Sequence, residues 1–93
     1  MSRVRWSAQA DASFVQLIRF LRSRNQEAAT RAAVELTTLS RRLGALPELG
    51  RAGRLPGTRE LSAPDWKQVL VYRLDDAGIE IIALRDTRMK TED

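Results

Sequence analysis

A chain of 93 residues, 43% of them hydrophobic, can close one hydrophobic core and predicts a single domain over residues 1–93. The absence of cysteine and histidine excludes disulfides, thiol nucleophiles and imidazole bases and argues against a metal site. We therefore expect no catalytic residue, no metal and no cofactor. The formal net charge is +4, and 14 of the 16 basic residues are arginine, which suits an acidic partner unless the excess only reflects codon bias.

The sequence shows no segment that would direct the chain into or across a membrane. No apolar run approaches the ~20 residues of a membrane-spanning helix. Residues 1–6 lack the apolar stretch of a secretory signal. These observations predict a cytoplasmic protein with no membrane partner.

The first predicted elements are a short strand and a helix. Arg3-Val4-Arg5-Trp6 alternates polar and apolar residues, as a half-buried strand does. Ser7 is a suitable N-cap for a helix from about Ala8 to Arg24. The apolar stripe of that helix recurs at helical spacing and comprises Phe14, Leu17, Ile18 and Leu21.

A second helix follows at once and should fold back on the first. Asn25 is its predicted N-cap, and an alanine- and leucine-rich stripe continues to about Leu43. Gly44 is placed to end the helix with a positive φ angle, and Pro47 marks the stop. The glycines and prolines of residues 45–57 predict an irregular connection.

Three strands complete the chain, at residues 58–61, 68–74 and 79–84. Asp75-Asp76-Ala77-Gly78 predicts a hairpin turn with a positive φ angle at the glycine. The order β-α-α-β-β-β predicts an α+β fold.

The final hairpin has apolar residues at consecutive positions of both strands, residues 69–74 and 79–84. An antiparallel sheet that is covered by helices on one side should carry polar residues on its open face. We therefore expect a second molecule to cover the other apolar face of the hairpin.

Short motifs in a fixed order carry a family resemblance. They are Val4-Arg5-Trp6-Ser7, residues 25–29, Leu46-Pro47-Glu48-Leu49-Gly50-Arg51, Gly57-Thr58-Arg59-Glu60-Leu61, Val71-Tyr72-Arg73-Leu74 and Gly78-Ile79-Glu80-Ile81-Ile82. Together, from Arg3 to about Arg88, the chain resembles the RelE/ParE toxin superfamily, and its ParE-like branch in particular.

The resemblance implies both a fold and a function. The fold would be a two-helix hairpin packed on one face of a twisted, mainly antiparallel sheet. The chain would be the toxin of a type II toxin–antitoxin system that arrests growth by binding DNA gyrase, with no sequence-specific nucleic-acid binding of its own. A cognate antitoxin, whose partly disordered C-terminal part folds across the toxin, would form a hetero-oligomer with it and silence it.

A RelE-like, ribosome-dependent mRNA endonuclease is the main alternative, and an inactive relative that serves as a binding module is a third. RNA cleavage needs an acid and a base, and arginine does not release its proton near neutrality. Glu60, Lys67 and Asp86 remain as acid–base candidates, but no spacing marks them as a set. The composition therefore favours a binding protein.

Candidate contact residues fall into two groups. Antitoxin contacts are expected on and beside the final hairpin: Trp66, Leu70, Tyr72, Arg73, Leu74, Ile82, Leu84, Arg85 and Arg88. Target contacts are expected in the connection and just after it: Arg51, Arg54 and Arg59. For Arg59 a local structural role is favoured, and the tail 87–93 is expected to be flexible or ordered by a partner.

Overall fold

The computed structural model of the chain describes residues 2–88. Its helices and strands follow in chain order: β1 (Val4–Trp6), α1 (Ala8–Arg24), α2 (Gln26–Ala45), β2 (Arg51–Ala52), β3 (Arg59–Ala63), β4 (Gln68–Asp75) and β5 (Gly78–Asp86). A 3₁₀ turn, Pro64–Trp66, joins β3 to β4. The predicted α+β class and the helical hairpin are confirmed.

Side-chain caps define where the two helices begin. The Ser7 hydroxyl oxygen accepts the Ala10 N–H at 3.1 Å and donates to the Ile82 carbonyl at 3.1 Å, so the same residue ties α1 to β5. The Asn25 side chain accepts the Ala28 N–H at 3.1 Å at the start of α2. Both predicted N-caps are confirmed because short polar side chains satisfy N–H groups that have no partner within the helix.

The end of α2 differs from the prediction. Gly44 lies inside the helix and is buried, and the predicted positive φ angle is wrong. Its carbonyl accepts the Ser2 N–H at 2.8 Å, so the last turn of α2 packs against the start of the chain. That packing lets the helix continue past the glycine to Ala45.

The five strands form one mixed sheet in the order β1-β5-β4-β3-β2. Strand β1 runs parallel to β5, and the other neighbours are antiparallel. The connection 45–57 was predicted to be wholly irregular, and β2 corrects this. Arg51 and Ala52 pair with Glu60 and Arg59, a contact with another strand that local glycines and prolines do not reveal.

The core lies between the helical hairpin and one face of the sheet. Its buried members are Ala10, Leu36, Leu43, Ala63, Leu70, Tyr72, Ile79, Ile81 and Leu84. Trp6 packs against it and meets Phe14 edge to face, with ring centroids 5.4 Å apart. Neither helix within residues 2–88 combines the length and the apolar character that crossing a bilayer requires.

A β-bulge changes the faces of β5. Val71 pairs with Ala83 and Tyr72 pairs with Ile81, so Ile82 has no partner opposite it. The extra residue shifts the alternation, and Ile81 and Leu84 therefore both enter the core. The strict alternation of faces along a regular strand therefore does not hold across this bulge.

Candidate functional site

Three of the predicted antitoxin contacts belong to the core. Leu70 and Tyr72 have no exposed surface, and Leu84 is 7% exposed. These side chains cannot offer a free surface to a partner, which corrects their assignment as contacts. The Tyr72 hydroxyl instead accepts the Gly50 N–H and donates to the Pro47 carbonyl, both at 2.8 Å.

The outer face of the sheet, away from the helices, is charged rather than apolar. Arg73 donates to Glu80 at 2.9 Å and 3.2 Å, and Arg85 donates to Glu60 at 3.0 Å. Arg5 of the edge strand pairs with Asp75. Opposite charges, paired between neighbouring strands or across an intervening strand, therefore occupy the surface on which apolar side chains were expected.

Two valines are nonetheless buried on this outer face. Val69 and Val71 are 3% and 7% exposed and alternate with the core residues Leu70 and Tyr72. The Arg85–Glu60 pair joins β5 to β3 and must cross β4, a span of roughly 10 Å. Since the Cα partners of the valines are Arg85 and Glu60 themselves, the ion pair covers them. The chain thus shelters its own second apolar surface, and the expectation that another molecule must do so is wrong.

Glu60 is the hub of this arrangement. Its side chain is 4% exposed, and it also accepts the Arg54 N–H at 3.1 Å while Arg51 lies 3.9 Å away. Burial by itself would raise the pKa of Glu60, but the hydrogen bonds from the Arg54 backbone and from Arg85 outweigh it. The net effect holds the pKa of this carboxyl below its ordinary value, so Glu60 is ionised near neutrality.

Trp66 contacts α2 rather than standing free. Its indole N–H donates to Glu35, and the Arg31 guanidinium lies 5.8 Å from the ring centre. The ring lines one side of a groove of about 310 Å³ between α2 and the β3–β4 connection. Leu39 and Arg42 line the other side.

The remaining antitoxin candidates are accessible to different degrees. Leu74 is 48% exposed and borders a groove with Leu46, whereas Ile82 is half-buried. Arg88 is exposed and donates to Asp86 at 2.8 Å, which raises the pKa of Arg88 and lowers that of Asp86. Residues 89–93 of the predicted tail lie outside the described part of the chain.

The three target candidates differ in exposure: Arg51 and Arg54 are exposed, whereas Arg59 is bonded to the backbone of the connection. Arg51 has a side chain that is 75% exposed, and Arg54 is also exposed. Arg59 donates to the Gly50 carbonyl at 2.8 Å and to the Glu48 carbonyl at 3.5 Å. This contact agrees with the local structural role favoured for Arg59.

Two of the three acid–base candidates are held in ion pairs. Glu60 and Asp86 are each held by arginine with a pKa below the ordinary value, a state that does not suit proton donation near neutrality. Lys67 lies in the turn before β4 with φ = 57°. Over residues 2–88 no three histidine, cysteine, aspartate or glutamate side chains come together as a metal site would require.

The family described as the ParE toxin of the type II toxin–antitoxin system parDE matches residues 4–91. The chain belongs to the ParE toxin family. Y4kP of Sinorhizobium fredii (strain NBRC 101917 / NGR234), provisionally named a toxin, is 28% identical to this ParE-family chain over 82 residues. That match covers 88% of this chain and 84% of Y4kP.

A solved structure agrees with the ParE-type fold. A chain from the chromosomal ParDE system of P. aeruginosa superposes with a TM-score of 0.84 at 21% identity, covering 95% of this chain and 98% of that one. At this identity the likeness concerns the fold. The predicted family, its ParE-like branch and the architecture are confirmed.

Sequence reasoning missed the part that Glu60 and Tyr72 play in holding residues 46–58 of this ParE-family chain. The sequence indicated Glu60 as an acid–base candidate and Tyr72 as an antitoxin contact, and neither pattern predicted a bond to this segment. The sequence did contain a signal for Glu60: it lies within the predicted strand 58–61. A glutamate in a half-buried strand needs a hydrogen-bonding or ionic partner.

Proposed function

We propose that this ParE-type toxin acts in the cytoplasm by binding and inhibiting DNA gyrase, and that a cognate antitoxin neutralises it. The family match over residues 4–91 carries the proposal. The absence of histidine and cysteine supports a mechanism by binding rather than catalysis. The arginine-held carboxylates Glu60 and Asp86 support it further, because neither suits acid–base work near neutrality.

The antitoxin surface that we propose consists of accessible residues along the hairpin, with Leu74 near its turn and Trp66 and Arg88 beyond its open end. Leu74 and Ile82 offer apolar area, Arg73 and Arg88 are charged and mostly exposed, and Trp66 lies at the α2 groove. Both arginines already have carboxylate partners, so an acidic antitoxin segment would exchange one ion pair for another. Such exchange contributes more to specificity than to affinity.

Arg85 has a different place in this surface. Its side chain is 27% exposed and its guanidinium is bonded to Glu60. An antitoxin carboxylate could reach it only beside that bond, where Arg85 would serve two acids at once. We therefore expect the antitoxin to bind over the ion pair rather than to replace it.

Purified chain, gyrase and supercoiled plasmid test the proposed target directly. We expect trapped, cleaved DNA or loss of supercoiling activity, and we expect premixing with the cognate antitoxin to abolish either effect. Mapping mRNA ends after expression in cells tests the endonuclease alternative in parallel. Codon-phased cuts in mRNA with gyrase untouched would overturn the proposal in favour of a RelE-like activity, and no effect in either assay would favour an inactive relative.

A further inference from the structure

The connection between α2 and β3, residues 46–58, is held to the sheet by three side chains. Tyr72 of β4 bonds the backbone at Pro47 and Gly50, Arg59 of β3 bonds the Gly50 carbonyl, and Glu60 of β3 accepts the Arg54 N–H. We call this segment the α2–β3 loop. Its backbone conformation is set by the sheet beneath it and not only by its own glycines and prolines.

The positions of these groups are demanding. Tyr72 has no exposed surface, and Glu60 is 5% exposed. Buried polar groups such as these are tolerated only where they are hydrogen-bonded. A side chain at Gly50 would place its Cβ 2.8 Å from the Tyr72 hydroxyl, so the loop lies directly on the tyrosine. The loop is therefore ordered before any partner arrives.

The outer part of the loop presents an apolar tip. Leu55 is 66% exposed, the largest value among the exposed large apolar side chains of residues 2–88. Its carbonyl accepts both the hydroxyl and the N–H of Thr58, at 2.7 Å and 3.2 Å, which fixes the turn that carries it. Arg51, with a 75% exposed side chain, stands on the same loop.

We propose that the α2–β3 loop, with Leu55 at its tip and Arg51 on its β2 strand, is the surface with which this toxin contacts its target protein. The partner that it fits is a folded protein with an apolar pocket for Leu55 and acidic groups at the rim for Arg51. This inference rests on the proposed function and assigns the target contact within it. Holding the loop in advance lowers the entropy lost on binding, which is what makes a small contact effective.

A protein pocket fits these features better than nucleic acid does. Phosphates would engage Arg51 but would leave Leu55 in water, so the apolar tip would contribute nothing. Interfaces between proteins instead place buried anchors at the centre and charged groups at the rim. A projecting leucine and an exposed arginine on the same loop match the second pattern.

Matched variants of the full chain test the proposal. Leu55→Gln and Arg51→Gln should each weaken binding to purified gyrase, by about tenfold for Leu55→Gln. Val34→Gln and Arg22→Gln alter comparably exposed residues of the helices and should bind as the wild type does. Growth arrest on expression provides a second readout, and thermal unfolding confirms that all four variants are folded.

Tyr72→Phe tests whether the order of the loop matters. The side chain is fully buried and cannot touch a partner. The variant should exchange the Gly50 amide hydrogen faster and bind gyrase several-fold more weakly while it retains its fold. Unchanged binding alongside faster exchange would show that ordering of the loop contributes nothing.

The outcomes separate this inference from the proposed target. If the wild type binds gyrase and Leu55→Gln binds equally well, the inference is overturned and the target stands. If the wild type arrests growth without binding gyrase, the proposed target is wrong. Growth arrest then tests the loop: weaker arrest by Leu55→Gln supports the inference, and unchanged arrest overturns it. If the chain binds DNA alone, and this binding depends on Arg51 but not on Leu55, the proposal of a protein pocket is overturned. A wild type that neither arrests growth nor binds gyrase would overturn both the loop inference and the proposed target.

Discussion

At the scale of single residues, Glu60 links parts of the molecule that are far apart in the chain. One carboxylate oxygen accepts from Arg85 on β5 and the other accepts the Arg54 N–H in the α2–β3 loop. The same ion pair covers Val69 and Val71 on the outer face of the sheet. One acidic side chain therefore supports the loop and shields an apolar surface at the same time.

Replacing Glu60 should change how stability depends on pH. The pKa of Glu60 in the folded chain lies below its ordinary value of 4.5, since its hydrogen bonds outweigh the opposing effect of burial. The contribution of the carboxylate is therefore complete above pH 4.5 and is lost as the pH falls through the folded pKa. We expect Glu60→Gln to be less stable than the wild type at neutral pH and to lose less on acidification.

Urea unfolding at neutral pH and at about pH 3 measures this difference. Arg85→Gln removes one hydrogen-bond donor to the Glu60 carboxylate. It should also reduce the loss of stability on acidification, but by less than Glu60→Gln does. If the Glu60→Gln protein lost stability as steeply as the wild type, the role assigned to this carboxylate would be wrong.

At the scale of elements, the β4–β5 hairpin owes its geometry to its turn and its bulge. Gly78 has φ = 123°, and its neighbour Ile79 donates its N–H to the Arg3 carbonyl at 2.8 Å, which fixes the edge strand β1 beside β5. A Cβ at Gly78 would lie 2.4 Å from the Arg3 carbonyl oxygen. Both the backbone angle and the close approach of β1 therefore require glycine here.

Gly78→Ala should lower stability by about 1–3 kcal/mol because it combines backbone strain with a contact that only a shift of β1 relieves. Gly57→Ala is the matched control: its φ is 80°, but no atom lies within 4 Å of the added Cβ. Thermal or urea unfolding compares the two. Equal losses at both positions would mean that the approach of β1 does not constrain Gly78.

At the scale of the whole molecule, the chain completes its own core and leaves charged residues on the outer face of the sheet. Exposed apolar side chains are spread over both helices, the α2–β3 loop and the end of β4; they are Val15, Phe20, Val34, Leu46, Leu55 and Leu74. A partner is therefore not needed to close the fold. The contacts proposed above would instead use separate apolar side chains, as Leu55 and Leu74 are.

Binding of the cognate antitoxin should accordingly raise the unfolding temperature of a chain that is already folded, by an amount that grows with the logarithm of the antitoxin concentration above the Kd. Arg73→Gln combined with Arg88→Gln should weaken binding several-fold and reduce its dependence on salt, since fewer ion pairs are then involved. Calorimetric titration at low and moderate salt measures both effects, with Arg22→Gln as the control. An unchanged salt dependence in the double variant would remove these arginines from the antitoxin surface.

Much of the fold could be predicted because it depends on local patterns. The N-caps Ser7 and Asn25, the helical stripe of α1 and the Asp75–Gly78 turn are each encoded by residues that are close together in the chain. The pairing of β2 could not be predicted, because its partner strand lies seven positions further along and only two pairs form.

The candidate site was less predictable, since accessibility depends on packing between distant segments. Leu70 and Tyr72 were expected at an interface, yet the helices cover them. Leu55 attracted no attention in the sequence, because a leucine between arginine and proline has no periodicity to interpret. Its exposure follows only from the bonds that hold the α2–β3 loop to the sheet.

By itself the sequence determined the fold class, the order of the main elements and the toxin family, because periodicity, capping and short motifs are properties of neighbouring residues. Only the tertiary structure decided which apolar residues remain exposed. A single bulge at Ile82 and a single ion pair across β4 reassign the faces of the hairpin. Both arise from contacts between strands: the bulge breaks the register that the turn sets, and the ion pair joins residues that are 25 positions apart in the chain.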